Sequence, residues 1–457
     1  MTMMSLEKIV FFFYLILLPF EAFHPLGLNG YGAIAKTPSF FFLAIGLLLA
    51  VCNQKGRIVL DDKRYLRKLT LLISSVSLIS IIMAFFLYYG VEPIAGFHTT
   101  DVIWSPIFYN FMVIAIIYYV FYMSEKVDKD FIDKVLKTIY VYTVVLGYIQ
   151  LAAIFGNGAC RALLYGLESL NLTYSPELCL THMKVVLMFS EPSYAEMLLC
   201  GLLMPFICGN IIVKSHKTLD VLKILFLMPL VFFNGSSSVL VGTVICIAVT
   251  LILSCLRGDI SGKALLSIFS VFVILVLICI TNNPIKEIIV NQILIKPFDN
   301  DNLSTIQRGS IIRNCIMIFL KYPILGVGNG VQGFFYEFHL RPEDYKSYEV
   351  INTLKYENGV PGAGSWAGGW LSGYGIVGAI FLIVFIVSTF RAIKQYRGSQ
   401  YYYAYIIGGI CFLVCGWFTA STTGGYLSLF ILSIPTFSAK YFEMKDAYSY
   451  YNIKKGL

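Results

Sequence analysis

Long apolar runs separated by short polar connections recur along the whole chain, and their lengths predict membrane-crossing helices. Covering about 30 Å of hydrocarbon takes roughly 17 to 25 apolar residues, with every backbone amide satisfied inside the helix. Twelve such spans are predicted, at about 8–25, 37–53, 69–90, 102–123, 136–155, 192–213, 219–233, 238–256, 264–281, 366–390, 401–420 and 424–439. The seventh is the shortest helical candidate of the central group. The first is read as a retained helix: Pro19, Phe20, Glu21 and His24 follow it where a signal peptide would carry a small-x-small cleavage site.

Composition agrees with this pattern. A 457-residue chain that is 58% hydrophobic and only 13% charged has too little polar surface to coat a soluble globule. The fold class expected is therefore an all-α polytopic integral membrane protein, a single membrane domain over residues 1–457. Lys and Arg near span ends collect in short cytoplasmic loops. With the N-terminus inside, 23 of the 34 basic residues fall on the inner side and 11 on the outer, which fits an even number of spans. The net charge of +8 thus reflects insertion topology, and no nucleic-acid partner needs to be invoked. Most of the 11 cysteines lie in or beside apolar spans, where they act as small apolar residues. Cys160 and Cys179 share one outer loop and are open to a bridge or to two free thiols.

Two outer loops are long, 156–191 and 282–365, and long loops in membrane proteins invite function. In the second, residues 308–321 have helical periodicity, with Ile311, Ile312, Cys315, Ile316 and Phe319 on one stripe and Ser310, Asn314, Met317 and Lys321 on another. Arg308 heads the apolar stripe. Arg313 points about 140° away by the 3.6-residue period, so the two arginines do not converge. Pro323 ends the helix, and Gly326-Val327-Gly328-Asn329-Gly330 follows. Gly326 and Gly328 are open to two readings, a backbone nest for phosphate or a structural turn. The loop's charges balance overall, with a basic first half and an acidic second half. That arrangement suits a site that holds an anion and handles protons.

The second cluster lies at the outer start of the sixth span, Phe189-Ser190-Glu191-Pro192-Ser193-Tyr194-Ala195-Glu196. Acids near hydrocarbon mark function, although a proline beside an acid also makes an ordinary helix start. His182 and Lys184 precede it closely, and Arg161 lies in the same loop. His24, His98 and His339 are scattered and read as surface histidines. The glycines from Gly364 to Gly378, with Trp366 and Trp370, read as close helix packing at the interface.

Arg308, then Pro323 and Gly326-Val327-Gly328, then Ser365 with Gly375 and Gly378, resemble the outer-loop signature of the O-antigen polymerase and ligase superfamily. Glu191-Pro192-Ser193 with Ala195 resembles the matching segment of its polymerases. The resemblance implies a GT-C-like, metal-independent, inverting glycosyltransferase without a cofactor, in the bacterial inner membrane with its site facing the periplasm. Its implied substrate is an oligosaccharide on undecaprenyl diphosphate, in contact with membrane lipid, and a chain-length regulator protein is an implied partner. Arg308, and after it Lys184, Arg313 and Arg161, are the expected cations for the leaving diphosphate, and Glu191 is the expected base. Gly326, Gly328, Tyr194 and His182 complete the expected substrate contacts. Two positions depart from the family pattern: Lys184 stands where an arginine is frequent, and Gly364 stands where ligases carry a histidine. The second departure favours a polymerase, with a ligase, or a lipid-linked oligosaccharide flippase, as alternatives.

Overall fold

The computed structural model describes residues 3–20, 37–53, scattered positions between 75 and 123, and 126–173, 175–189, 191–213, 218–257, 303–328, 331–356, 365–394 and 399–415. The expected spans at 69–90, 102–123, 264–281 and 424–439 lie wholly or largely outside these residues, as does Gly364. Among the described residues the regular elements are helices and there is no strand.

In chain order the α-helices are α1 (Met3–Leu17), α2 (Ser39–Asn53), α3 (Lys129–Ile154), α4 (Gly158–Ser169), α5 (Pro176–His182), α6 (Met204–Val213), α7 (Thr218–Asn234), α8 (Ser237–Leu256), α9 (Leu303–Lys321), α10 (Tyr348–Tyr356), α11 (Trp366–Lys394) and α12 (Gln400–Cys415). Asp130–Ile154, Pro192–Val213, Ser237–Leu256 and Trp366–Val384 are long and apolar enough to cross a membrane, and α2 and α12 are shorter apolar helices. All six coincide with expected spans. The sixth span is less regular than expected: a 3-10 turn at Pro192–Tyr194 leads into a π-helix at Met197–Leu203 before α6 begins. Pro205 supplies a cause, because it offers no N–H to the carbonyl four residues earlier.

Polar ties at the helix ends agree with alternating directions. The buried Glu7 carboxylate accepts from Tyr122 Oη at 2.6 Å and Lys126 Nζ at 2.7 Å. Asp133 accepts from Gln400 Nε2 at 3.1 Å and Tyr401 Oη at 2.8 Å, and Arg257 reaches Tyr403 Oη at 3.3 Å. These pairs join segments that the charge asymmetry assigns to one side. At the core of the bundle α6, α8 and α12 cross closely. A Cβ on Gly242 would meet Cys200 Cβ at 2.8 Å, and Cys246 Sγ lies 3.3 Å from Cys411 Sγ. Small side chains are what permit such crossings when lipid gives no hydrophobic drive between helices.

In the first long loop, α4 and α5 pack together, and Asn157 caps α4 by accepting from Cys160 N at 3.0 Å. Cys160 and Cys179 are free thiols; Cys179 is buried, which pushes its thiol up to about 11. In the second long loop, α9 runs against α11 and α10, with short 3-10 turns between.

Candidate functional site

The stretch from Lys184 to Phe189 is irregular, and Val185 to Phe189 are buried at 3% exposure or less. Irregular backbone in such surroundings needs partners for its amides. Two amide side chains from neighbouring helices supply them. Gln150 of α3 accepts from Val186 N at 3.1 Å and Leu187 N at 2.8 Å, and donates to Leu187 O at 2.8 Å. Asn234, ending α7, donates from Nδ2 to Val185 O at 2.8 Å and to Pro192 O at 3.0 Å. One nitrogen therefore pinches together the two ends of the segment, the ends that carry Lys184 and Glu191. Leu187 sits at φ 56° and Met183 at φ 48°, left-handed conformations that only surrounding structure can hold.

Lys184 and Arg308, one from each long loop, lie near enough to interact electrostatically. Burial first, and then the Arg308 guanidinium, hold the Lys184 ammonium below the ordinary lysine range. Both side chains are half-buried, and neither has a hydrogen bond or ion pair among the described residues. Two neighbouring cations with no counter-ion among the described residues can hold an anion.

The other expected cations are engaged elsewhere. Arg313 is paired with Asp344, and its Nε donates to His339 O at 3.3 Å. Arg161 is exposed and donates from Nε to Ala153 O at 3.0 Å, closing the end of α3. Both expected diphosphate cations thus already have protein partners in this structure. Glu191 is exposed and accepts from Ser193 Oγ at 3.2 Å. Tyr194 is half-buried against the main core, and His182 is exposed in the last turn of α5.

Gly326 and Gly328 take the structural-turn reading, at φ 65° and φ 97°. Their amides do not face outward as a nest: Gly326 N donates to Tyr322 O at 3.1 Å, Val327 N to Ser372 O at 2.9 Å and Gly328 N to Gly373 O at 2.9 Å. In return Pro323 O accepts from Ile376 N at 2.7 Å and Ile324 O from Val377 N at 3.2 Å. The reason is a break in α11 at Gly375 (φ 60°, ψ −155°), which frees these backbone groups for the loop to pair. The glycines of the tenth span thus do more than let helices cross closely.

A buried polar network that the sequence reading missed ties α9 to this break. Asn314 Nδ2 donates to Gln332 O at 2.9 Å, and Gln332 Nε2 donates to Gly369 O at 2.9 Å. With its amide so oriented, Asn314 Oδ1 accepts from His339 Nδ1 at 2.7 Å. His339 is half-buried, contrary to the surface position expected, and burial, then Lys321 and Arg313, hold its pKa below the ordinary histidine value. Ser310 and Asn314 are inside together with Ile311 and Cys315, while Ile316 is outside, so the buried face draws on both stripes. Among the described residues no group of three or more His, Cys, Asp or Glu side chains is placed to hold a metal.

Residues 223–383 match the family model described as O-Antigen ligase. The match supports the O-antigen polymerase and ligase superfamily, whose members are glycosyltransferase-like enzymes acting on lipid-linked sugars. It takes in Arg308, Arg313, the glycine turn and the interrupted α11, and polymerases and ligases share it. No curated protein and no solved structure matches the chain.

Proposed function

We propose that this protein is a surface-polysaccharide polymerase that transfers a glycan from undecaprenyl diphosphate onto an incoming lipid-linked repeat unit, at the periplasmic face of the inner membrane. The observation that carries the reading is the electrostatic proximity of Lys184 and Arg308, with no counter-ion among the described residues. When the anomeric carbon–oxygen bond breaks, negative charge grows on the departing diphosphate. Cations already aimed at that charge lower the barrier without reorganising. With two of them in place, the transfer needs no metal.

The acceptor sugar hydroxyl attacks the opposite face of the anomeric carbon, which inverts its configuration. Its proton passes to Glu191, next in the chain to Pro192, whose carbonyl Asn234 holds. Glycine at position 364, where ligases carry a histidine, supports a polymerase over a ligase. The periplasmic setting rests on the charge asymmetry of the loops.

Arg308→Ala should abolish long glycan ladders while leaving core bearing a single repeat, at normal protein level. Full ladders from that variant would refute the assignment. Bare core, with no repeat attached, would identify a ligase instead.

A further inference from the structure

We infer that α9 lies in the outer leaflet, with Ile316, Leu320 and Ile324 immersed among the acyl chains of bilayer lipid. Its buried face mixes Ser310 and Asn314 with Ile311, Cys315 and Ile318, and its exposed face carries large apolar side chains. Ser310 and Asn314 are 1% exposed, whereas Ile316 is 50%, Leu320 67% and Ile324 67% exposed. Ile316, Leu320 and Ile324 recur at four-residue intervals, so the first two share a helix face and Ile324 carries the same line past the helix end. In water that line would be an exposed apolar ridge with no compensating polar group. In lipid it is an ordinary outer surface, and the hydrogen-bonded interior of Ser310, Asn314 and Gln332 is the arrangement that hydrocarbon demands.

Continuity identifies the occupant. Pro323 O and Ile324 O accept from Ile376 N and Val377 N, so the ridge runs directly onto the span Trp366–Val384. Beyond this junction the span exposes Ile376 (47%), Ile380 (55%) and Ile383 (60%), spaced as one face of a helix. A face of that length and composition on a membrane-crossing helix is lipid-facing, and α9 extends it. The adjacent Lys321 and Tyr322, with the ammonium 5.6 Å from the ring centroid, have the amphipathic character of side chains that sit at a membrane interface. The consequence is that Arg308, on the same helix, stands at headgroup depth, the level at which the diphosphate of a lipid-linked sugar is held.

The test uses the full chain in nanodiscs of phosphatidylethanolamine and phosphatidylglycerol. The photoreactive residue benzoylphenylalanine replaces Leu320, Ile324, Ile380 or Glu343, one at a time. All four positions are exposed, so a bulky aromatic is accommodated. After irradiation, intact mass spectrometry should find phospholipid adducts at 320 and 324 in yields comparable to 380, and at least fivefold above 343. Adduct yields at 320 and 324 equal to those at 343 would overturn the inference. So would cross-links from these positions to a second copy of the chain. Because the readout is independent of glycan transfer, its failure leaves the polymerase reading intact, and an inactive Arg308→Ala protein leaves this inference intact.

Discussion

Replacing Asn234 by alanine removes the one nitrogen that holds both ends of the segment from Lys184 to Glu191. Asn234 is completely buried, and its Nδ2 donates at 2.8 and 3.0 Å to Val185 O and Pro192 O. Each such bond contributes about 1 kcal/mol net, while a buried carbonyl stripped of its donor costs about 1–3 kcal/mol. The change should therefore raise the energy of the closed segment by ~2–6 kcal/mol. Even the lower figure is about a thirtyfold shift toward open conformations. The segment has little reserve against it, since Leu187 and Met183 already hold left-handed conformations that cost ~1–3 kcal/mol each. Hydrogen exchange on the protein in nanodiscs reads the effect directly. Amides 185–189 should exchange at least tenfold faster in Asn234→Ala, while those of residues 310–320, held by the separate Asn314–Gln332 network, keep their wild-type rates. Glycan ladders should shorten or vanish in parallel. Wild-type exchange across 185–189 would show that Gln150 alone fixes the segment and would refute the pinch.

Three further outcomes follow from the same geometry. Lys184 loses its proton at lower pH than an ordinary lysine, so affinity for polyprenyl diphosphate should fall as pH rises through that depressed value; Lys184→Arg, which stays charged, should retain binding to higher pH in a titration of the purified protein. Arg313→Ala should destabilise the second loop by about 1–3 kcal/mol, less than the ~3–5 kcal/mol of a fully buried pair because Arg313 keeps partial access to solvent, and its denaturation profile should shift while diphosphate affinity does not. Gly375→Ala should lower the thermal midpoint in detergent, since an L-residue at φ 60° and ψ −155° is strained by ~1–3 kcal/mol and its Cβ collides with Ile324 O; Gly409→Ala, with open space at its Cβ, is the control that should leave the midpoint unchanged or raise it.

The apolar runs made the described spans legible because lipid forces backbone satisfaction into each helix, and a run of the right length has few alternatives. The helix from Arg308 and its end before Pro323 were legible for a similar reason, as periodicity and proline act locally. What could not be read was which face of that helix looks inward. Periodicity separates a polar from an apolar stripe, but the buried face takes Ser310 and Asn314 from one and Ile311 and Cys315 from the other, so neither stripe by itself marks the inside. The engagement of Arg313 by Asp344, 31 residues on, is a long-range pairing with no local signature. Gln150 and Asn234 did leave a signal: an amide within or ending an apolar span is costly unless it bonds something. The glycine turn was ambiguous because a nest and a plugged helix break ask for the same residues, and only the carbonyls of Ser372 and Gly373 distinguish them.

The way the two cations are held bears on how they work. Like charges brought together repel, and nothing among the described residues neutralises Lys184 and Arg308. Folding must therefore hold them against each other through contacts made elsewhere. Lys184 is fixed by a segment bonded to Gln150 and Asn234 in the bundle of α3 and α7. Arg308 is fixed by a helix joined to α11 through Gln332, the glycine turn and the break at Gly375. The two scaffolds are distinct, and each is satisfied by its own buried amides before any substrate arrives. The repulsion is thus set during folding, and on the proposed reading an arriving diphosphate would relieve it without waiting for side chains to reorganise. In the proposed transfer the relief would grow with the charge on the leaving group as the bond breaks, which is the condition for lowering the barrier and not merely tightening binding.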